Sequence, residues 1–148
     1  MKSVLVLAPW LLVLCIAGCD GLQIEPVDVA GQPIIGHWYY EGIEREALEQ
    51  RSIRAYLHVR RDGFAAYAYQ ACRSGEIASH SQLILDYLPI KRLNSKKMVL
   101  QKYPLTPSFQ LTLGQWPDQG DGRFMVDEVP LQAIVATDVP DYRQWDCQ

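Results

Sequence analysis

Residues 52–72 of the chain read SIRAYLHVRRDGFAAYAYQAC, and this stretch decides the fold. Before the turn, apolar residues recur at every second position, which is the period of a strand with one buried face. Asp62-Gly63 follows, a dipeptide that accepts the positive φ angles of a tight hairpin turn. Residues 64–72 then return with aromatic and small side chains. The stretch therefore predicts an antiparallel β-hairpin.

The rest of the sequence after residue 33 has the same pattern of short apolar runs separated by turns rich in Gly, Pro, Asn and Asp. Further candidate strands lie at residues 34–41, 82–90, 98–103, 108–114, 123–129 and 131–137. Only residues 42–51 (GIEREALEQR) have a helical pattern. We therefore predict an all-β fold, either a small antiparallel meander barrel of seven or eight strands or a sandwich, with one short helix after the first strand.

The first candidate strand contains Gly36-His37-Trp38. Its Gly36 and Trp38 resemble the Gly-x-Trp of lipocalin-like barrels, in which the Trp closes one end of the barrel. The resemblance implies an up-and-down barrel that binds a small apolar ligand. Four aromatic residues at alternating strand positions would either line such a pocket or fill the core: Trp38, Tyr40, Tyr67 and Tyr69.

The N-terminus, MKSVLVLAPWLLVLCIAGC, has a positive start, a short apolar run and small residues at its end. This is the pattern of a secretory signal, and the run is shorter than the ~20 residues that a membrane-spanning helix needs. Residues 16–19 (IAGC) resemble the bacterial lipobox. The resemblance implies cleavage after Gly18 and attachment of diacylglycerol and a further acyl chain, such as palmitate, to Cys19. It places the protein in the cell envelope, facing the periplasm, and Asp20 resembles an inner-membrane retention signal.

The predicted domains are a signal peptide (1–18), a lipidated N-terminus with a flexible tether (19–33) and one β-barrel-like domain (34–148). A coil of the tether's length spans on the order of 20 Å, which would hold the domain near the membrane without pressing it onto the surface. Removing 18 of the 148 residues leaves 130, enough for one domain with a core. The mature net charge is −4, from 13 basic and 17 acidic residues, which argues against a nucleic-acid partner.

Two cysteines remain in the body, Cys72 and Cys147. An even pair in an exported domain predicts a disulfide, because the periplasm is oxidising. A metal site or a reactive thiol is the less favoured alternative, since the chain has no CxxC motif and neither cysteine neighbours a histidine.

The sequence offers no convincing catalytic or metal-binding arrangement. His37, His58 and His80 match no metal spacing, and His37 is expected to face outward if Trp38 faces the core. Ser79-His80-Ser81 lacks the turn of a nucleophile elbow. We therefore predict a protein that is not an enzyme and uses no cofactor.

The function that these features favour is a lipid-anchored envelope protein with a binding or accessory role, for a small apolar ligand or a protein partner. The alternative is an immunity-type inhibitor of a toxin or an envelope hydrolase. Candidate partner contacts are a tryptophan in a polar loop and the acidic residues of the predicted helix: Trp116, Glu44, Glu46 and Glu49.

Overall fold

The computed structural model describes residues 22–46, 49–74, 79–114 and 122–147. Within these ranges it contains eight strands: β1 (Gly36–Glu46), β2 (Glu49–Val59), β3 (Phe64–Ser74), β4 (Ser79–Asn94), β5 (Lys97–Leu100), β6 (Phe109–Gly114), β7 (Arg123–Val126) and β8 (Val129–Ile134). Two short 3₁₀ turns follow at Ala136–Asp138 and Tyr142–Gln144.

Each strand pairs with the next one along the chain, and β1 pairs with β8 to close a barrel. All of these pairs are antiparallel. The predicted fold class, an all-β antiparallel meander barrel, is confirmed in its eight-strand form. The hairpin predicted at residues 52–72 is the β2–β3 pair, and Gly63 in its turn has a φ of +79°.

The short helix predicted for residues 42–51 is wrong. Residues 42–46 and 49–51 belong to β1 and β2, where Gly42 pairs with Ile53 and Glu44 with Arg51. An isolated ten-residue helix is marginal in water, and its apolar stripe would need a surface to cover. Ile43, the described member of that stripe, is 58% exposed. Extending the hairpin instead gives the same backbone a continuous ladder of hydrogen bonds.

The strands of the barrel differ in length, so the longer strands extend beyond the closed ring at one end of the barrel. The strands β1 to β4 have 11 to 16 residues, whereas β5 to β8 have four to six. The pairing recorded between β1 and β8 ends at Tyr39, and that between β4 and β5 begins at Ile90. Residues 40–46, 49–55, 69–74 and 79–83 therefore continue past the closed ring as a four-stranded protruding sheet.

The other end of the barrel is closed by the segment before β1. Val29 and Ile34 have no exposed surface, and the Val27 amide donates to the Ile90 carbonyl at 2.8 Å. Nearby, a Cβ on Gly63 would lie 2.5 Å from the Val27 carbonyl oxygen, so the β2–β3 turn also packs against this segment.

The prediction of a flexible tether through residue 33 is therefore wrong for residues 24–33. The apolar residues of this segment are too sparse to make a periodic pattern, yet they lie where the barrel end needs filling. Residues 19–21 lie outside the described part of the chain.

The barrel interior holds one contiguous hydrophobic cluster. Trp38 lies in it, with its ring 4.6 Å from that of Phe124 in an edge-to-face arrangement. Its indole nitrogen donates a hydrogen bond to the Ile34 carbonyl at 2.8 Å, so the buried polar group of the ring is satisfied. Trp38 thus joins β1 to both the opposite strands and the closing segment.

A second, smaller cluster lies on the outer surface of the barrel. Tyr142 stacks on Tyr56 of β2 with ring centroids 5.0 Å apart, and Trp145 lies 6.2 Å from Tyr39 of β1. The Tyr142 hydroxyl also donates to Asp86 of β4 at 3.3 Å. The C-terminal tail therefore covers the outer face of strands β1 to β4.

The predicted disulfide between Cys72 and Cys147 is confirmed, with the two Cα atoms 5.7 Å apart. Ala71 and Tyr69 point to the inner face of β3. Because side chains alternate along a strand, Cys72 lies on the outer face. The bond therefore fastens the tail to the sheet that it covers.

Removing this disulfide should lower the free energy of unfolding by about 4.5 kcal/mol, because the bond closes a 75-residue loop and restricts the unfolded chain. The measurement is urea denaturation of the oxidised mature domain, with and without reductant. The Cys72→Ser/Cys147→Ser double variant is the control, and reductant should leave its midpoint unchanged. Equal midpoints for the oxidised wild type and the double variant would contradict the expectation.

Candidate functional site

The four aromatic residues predicted to line a pocket do not share one hollow. Trp38 and Tyr67 are 4% and 2% exposed and belong to the packed interior of the closed ring. Tyr40 and Tyr69 are half-buried and lie further along β1 and β3, on the inner face of the protruding sheet. Trp38 and Tyr67 are therefore core residues, whereas Tyr40 and Tyr69 lie on the protruding sheet beyond the closed ring.

The inner face of the protruding sheet changes from apolar to charged along its length. Cross-strand partners share a face, so Gly42 and Ile53 are followed on the same side by Glu44 and Arg51. On the neighbouring strands the partners are Ala71 with Ser81, and Arg73 with Ser79. A cavity of about 370 Å³ lies over this surface, lined by Arg51, Ala71, Arg73, Ser79, His80 and Ser81.

The two arginines of this cavity are held by neighbouring side chains. Arg51 donates to the hydroxyl of Tyr69 at 2.8 Å and lies 3.9 Å from a Glu44 carboxylate oxygen. Arg73 forms an ion pair with Glu49 at 2.9 Å. A guanidinium has five N–H donors, so these contacts orient each group and leave donors for a ligand. The arrangement suits a carboxylate or phosphate, which arginine binds through paired hydrogen bonds.

The predicted partner contacts are only partly described by the structure. Glu44 and Glu49 lie on β1 and β2 and pair with arginines, so they do not form the acidic helix face that was expected. Glu46 is the last residue of β1, and its side chain lies outside the described part. Trp116 also lies outside the described residues, so its role as a contact stays a prediction.

A pair of histidines that the sequence analysis did not predict lies on the outer face of β1 and β2. His37 and His58 are cross-strand partners, and their rings stack with centroids 3.8 Å apart. The His37 Nδ1 atom is hydrogen-bonded to the Tyr56 hydroxyl at 2.8 Å, and the His58 Nδ1 atom to the Tyr87 hydroxyl at 2.7 Å. The expectation that His37 faces outward is confirmed.

The environment of this pair favours neutral imidazoles. Burial lowers the pKa of His37. It also lowers the pKa of His58 to about 4, helped by the nearby positive charges of His37 and Arg60 and opposed by Asp62. The register of β1 on β2 places the two histidines opposite each other. A helix over residues 42–51 is incompatible with that register, so the predicted helix hid the pair.

Among the described residues, no group of three or more His, Cys, Asp or Glu side chains is placed to hold a metal ion. Ser79 and Ser81 project to the inner face of β4, whereas His80 between them belongs to the other face, as strand alternation requires. Within the described ranges, the protein has no helix with the length and hydrophobicity needed to span a bilayer. Cys19, the predicted lipidation residue, lies outside these ranges.

No protein-family model matches the chain, and neither the curated proteins nor the solved structures include a significant match. The lipobox and the lipocalin-like Gly-x-Trp therefore stay predictions that depend on the residues of this chain.

The neutral histidine pair predicts a specific loss of stability in acid. As the pH falls from about 6.5 to about 4, the unfolded chain binds a proton at His58 that the folded protein does not. Stability should therefore decrease through this window, by roughly 1–2 kcal/mol once the partial exposure of the ring is allowed for. The measurement is the unfolding free energy at pH 7 and pH 4.5.

The His58→Gln variant should lose less stability than the wild type between these two pH values, because its side chain does not titrate. His80→Gln, which alters an exposed histidine on β4, is the matched control and should behave as the wild type. Parallel loss in the wild type and His58→Gln would refute the assignment.

Proposed function

We propose that this chain is a lipid-anchored protein of the bacterial cell envelope that binds a ligand on the inner face of its protruding sheet and catalyses no reaction. The observation that carries the binding role is the pair of oriented arginines beside an open cavity, at the end of an otherwise apolar barrel wall.

The anchor is supported by residues 1–19. The order of a positive residue, a short apolar run and IAGC is that of a lipoprotein signal, and it would make Cys19 the first residue of the mature protein. Two or more acyl chains on that residue give stable attachment, because each buried methylene contributes about 0.8 kcal/mol. Asp20 favours the inner membrane, with the domain in the periplasm.

The chemistry of the wall suggests a ligand with both an acidic group and an apolar part. Arg51 and Arg73 would receive the acidic group, and the hydroxyls of Ser79 and Ser81 offer further donors. Toward the closed ring the same face becomes apolar at Ile53, where an apolar portion would rest. The cavity of about 370 Å³ is within the range of small-molecule sites, which span roughly 300–1,000 Å³.

The alternative, an immunity-type inhibitor, relied on an acidic surface that would enter the active site of a target. Glu44 and Glu49 are instead engaged by Arg51 and Arg73. An inhibitor acting through these carboxylates would first have to break both pairs. We therefore favour the ligand-binding role.

The anchor is tested by expressing the full chain in a bacterial host and analysing the membrane fraction. Wild-type protein should float with membranes, and mass spectrometry of its N-terminal peptide should give an acylated Cys19. Cys19→Ser should abolish acylation and move the protein out of the membrane fraction. An unmodified Cys19 in the mature protein would contradict the proposal.

The ligand-binding role is tested with a long-chain fatty acid and the alcohol of equal chain length. The acid should bind the mature domain at least about tenfold more tightly in calorimetry, because one good charged hydrogen-bonded contact contributes 1.5–3 kcal/mol. Arg51→Gln/Arg73→Gln should remove this preference. Arg54→Gln is the control, since Arg54 lies on the outer face of β2 and pairs there with Glu41. Equal affinity of the double variant and the wild type for the acid would overturn the assignment.

A further inference from the structure

We propose that a compact apolar surface formed by Leu22, Tyr103, Pro104 and Leu105 rests on the phospholipid bilayer and fixes the orientation of the barrel. We call this surface the apolar tip. The inference rests on the proposed lipid anchor at Cys19, and it names a second contact between the protein and the same membrane.

The apolar tip consists largely of exposed hydrophobic side chains. Leu105 is fully exposed at 100%, and Leu22 and Tyr103 are 60% and 37% exposed. The four residues together line a shallow depression of about 310 Å³. A single exposed leucine is ordinary, but a contiguous apolar patch on a small domain marks an interaction surface.

The loop that carries the apolar tip is built to hold its shape. The buried side chain of Gln101 donates to the carbonyls of Pro104 at 3.1 Å and Thr106 at 2.7 Å, and it accepts a hydrogen bond from Lys91 at 2.7 Å. The Thr106 hydroxyl also donates to the Tyr103 carbonyl at 2.9 Å. These bonds fix the backbone around Leu105, so its exposure is a property of the folded loop.

The N-terminal segment brings the proposed anchor to the same place. The Ile24 amide donates to the Lys102 carbonyl at 3.1 Å, which fastens the start of the segment beside the loop. Leu22 is the third residue after Cys19, and an extended chain covers at most about 3.6 Å per residue step. The acylated cysteine must therefore lie within about 11 Å of Leu22, whatever path residues 19–22 take.

Because the acylated cysteine must lie this close to Leu22, we assign the bilayer as the surface that the apolar tip contacts. Acyl chains on Cys19 enter the hydrocarbon region, so its backbone is held at the headgroup layer, and the apolar tip lies within reach of that layer. The side chains match this location, since tyrosine is enriched at membrane interfaces. The Lys102 ammonium lies 5.4 Å from the Tyr103 ring centroid and is placed to meet anionic headgroups.

The packed N-terminal segment makes the contact persistent. A free coil through residue 33 would let the barrel move on the order of 20 Å from the surface. With residues 24–34 fastened to the barrel, the remaining length is too short for that motion. The barrel is therefore held against the bilayer with the loop of Leu105 toward the lipid.

The experiment places an environment-sensitive fluorophore on a cysteine introduced by Leu105→Cys in the acylated, full mature protein. Because Leu105 is fully exposed, this substitution should not disturb folding. The protein is reconstituted into vesicles of phosphatidylethanolamine and phosphatidylglycerol, with and without nitroxide-labelled lipids. Gln132→Cys is the matched control, since Gln132 is exposed on β8, two strands beyond the β6 strand that follows the loop of Leu105.

The Leu105 label should shift its emission to the blue on reconstitution and be quenched by nitroxide lipids, whereas the Gln132 label should show neither change. If the protein floats with vesicles but both labels remain in water, the proposed seating is wrong while the anchor stands. If the protein lacks acyl chains and does not float, the anchor and the seating both fall.

Discussion

Three residue pairs between β1 and β8, from His37 with Ile134 to Tyr39 with Gln132, close the barrel, and the rest of the architecture depends on them. They fix which face of β1 points inward and so bury Trp38 against Phe124. They also leave the rest of β1 free to run on beside β2. The same short seam thus produces both the filled, closed ring and the protruding sheet with its open inner face.

Much of this fold could be predicted from the sequence, because strand alternation and Asp62-Gly63 are local signals. The register of β1 on β2 could not be predicted from such local signals. Residues 42–51 have a helix-like order of apolar and charged residues, and only pairing with β2 determines that they extend the hairpin. The stacked histidines and the Glu44–Arg51 pair follow from that register, so a single misassigned segment concealed both features.

The segment before β1 shows a different limit of sequence reasoning. Its Gly and Pro content is typical of a linker, and its few apolar residues have no period that predicts burial. Val29 and Ile34 are buried because this segment packs against the closed end of the barrel. The prediction of the disulfide succeeded for the opposite reason, since only two cysteines lie in the sequence after residue 19 and they leave one pairing to consider.

The segment before β1, from Ile24 onward, and the C-terminal tail are therefore both fastened to the barrel, and together they determine which of the described surfaces they cover. The C-terminal tail covers the outer face of strands β1 to β4, where Tyr142 stacks on Tyr56. The N-terminal segment fills the closed end and leads toward Cys19. In the part of the chain that the structure describes, neither segment covers the inner face of the protruding sheet. If Cys19 carries the lipid that we propose, the packed segment from Ile24 onward would hold a ligand at Arg51 and Arg73 within a limited distance of the membrane. In that arrangement the proposed anchor would also determine where the proposed ligand is presented.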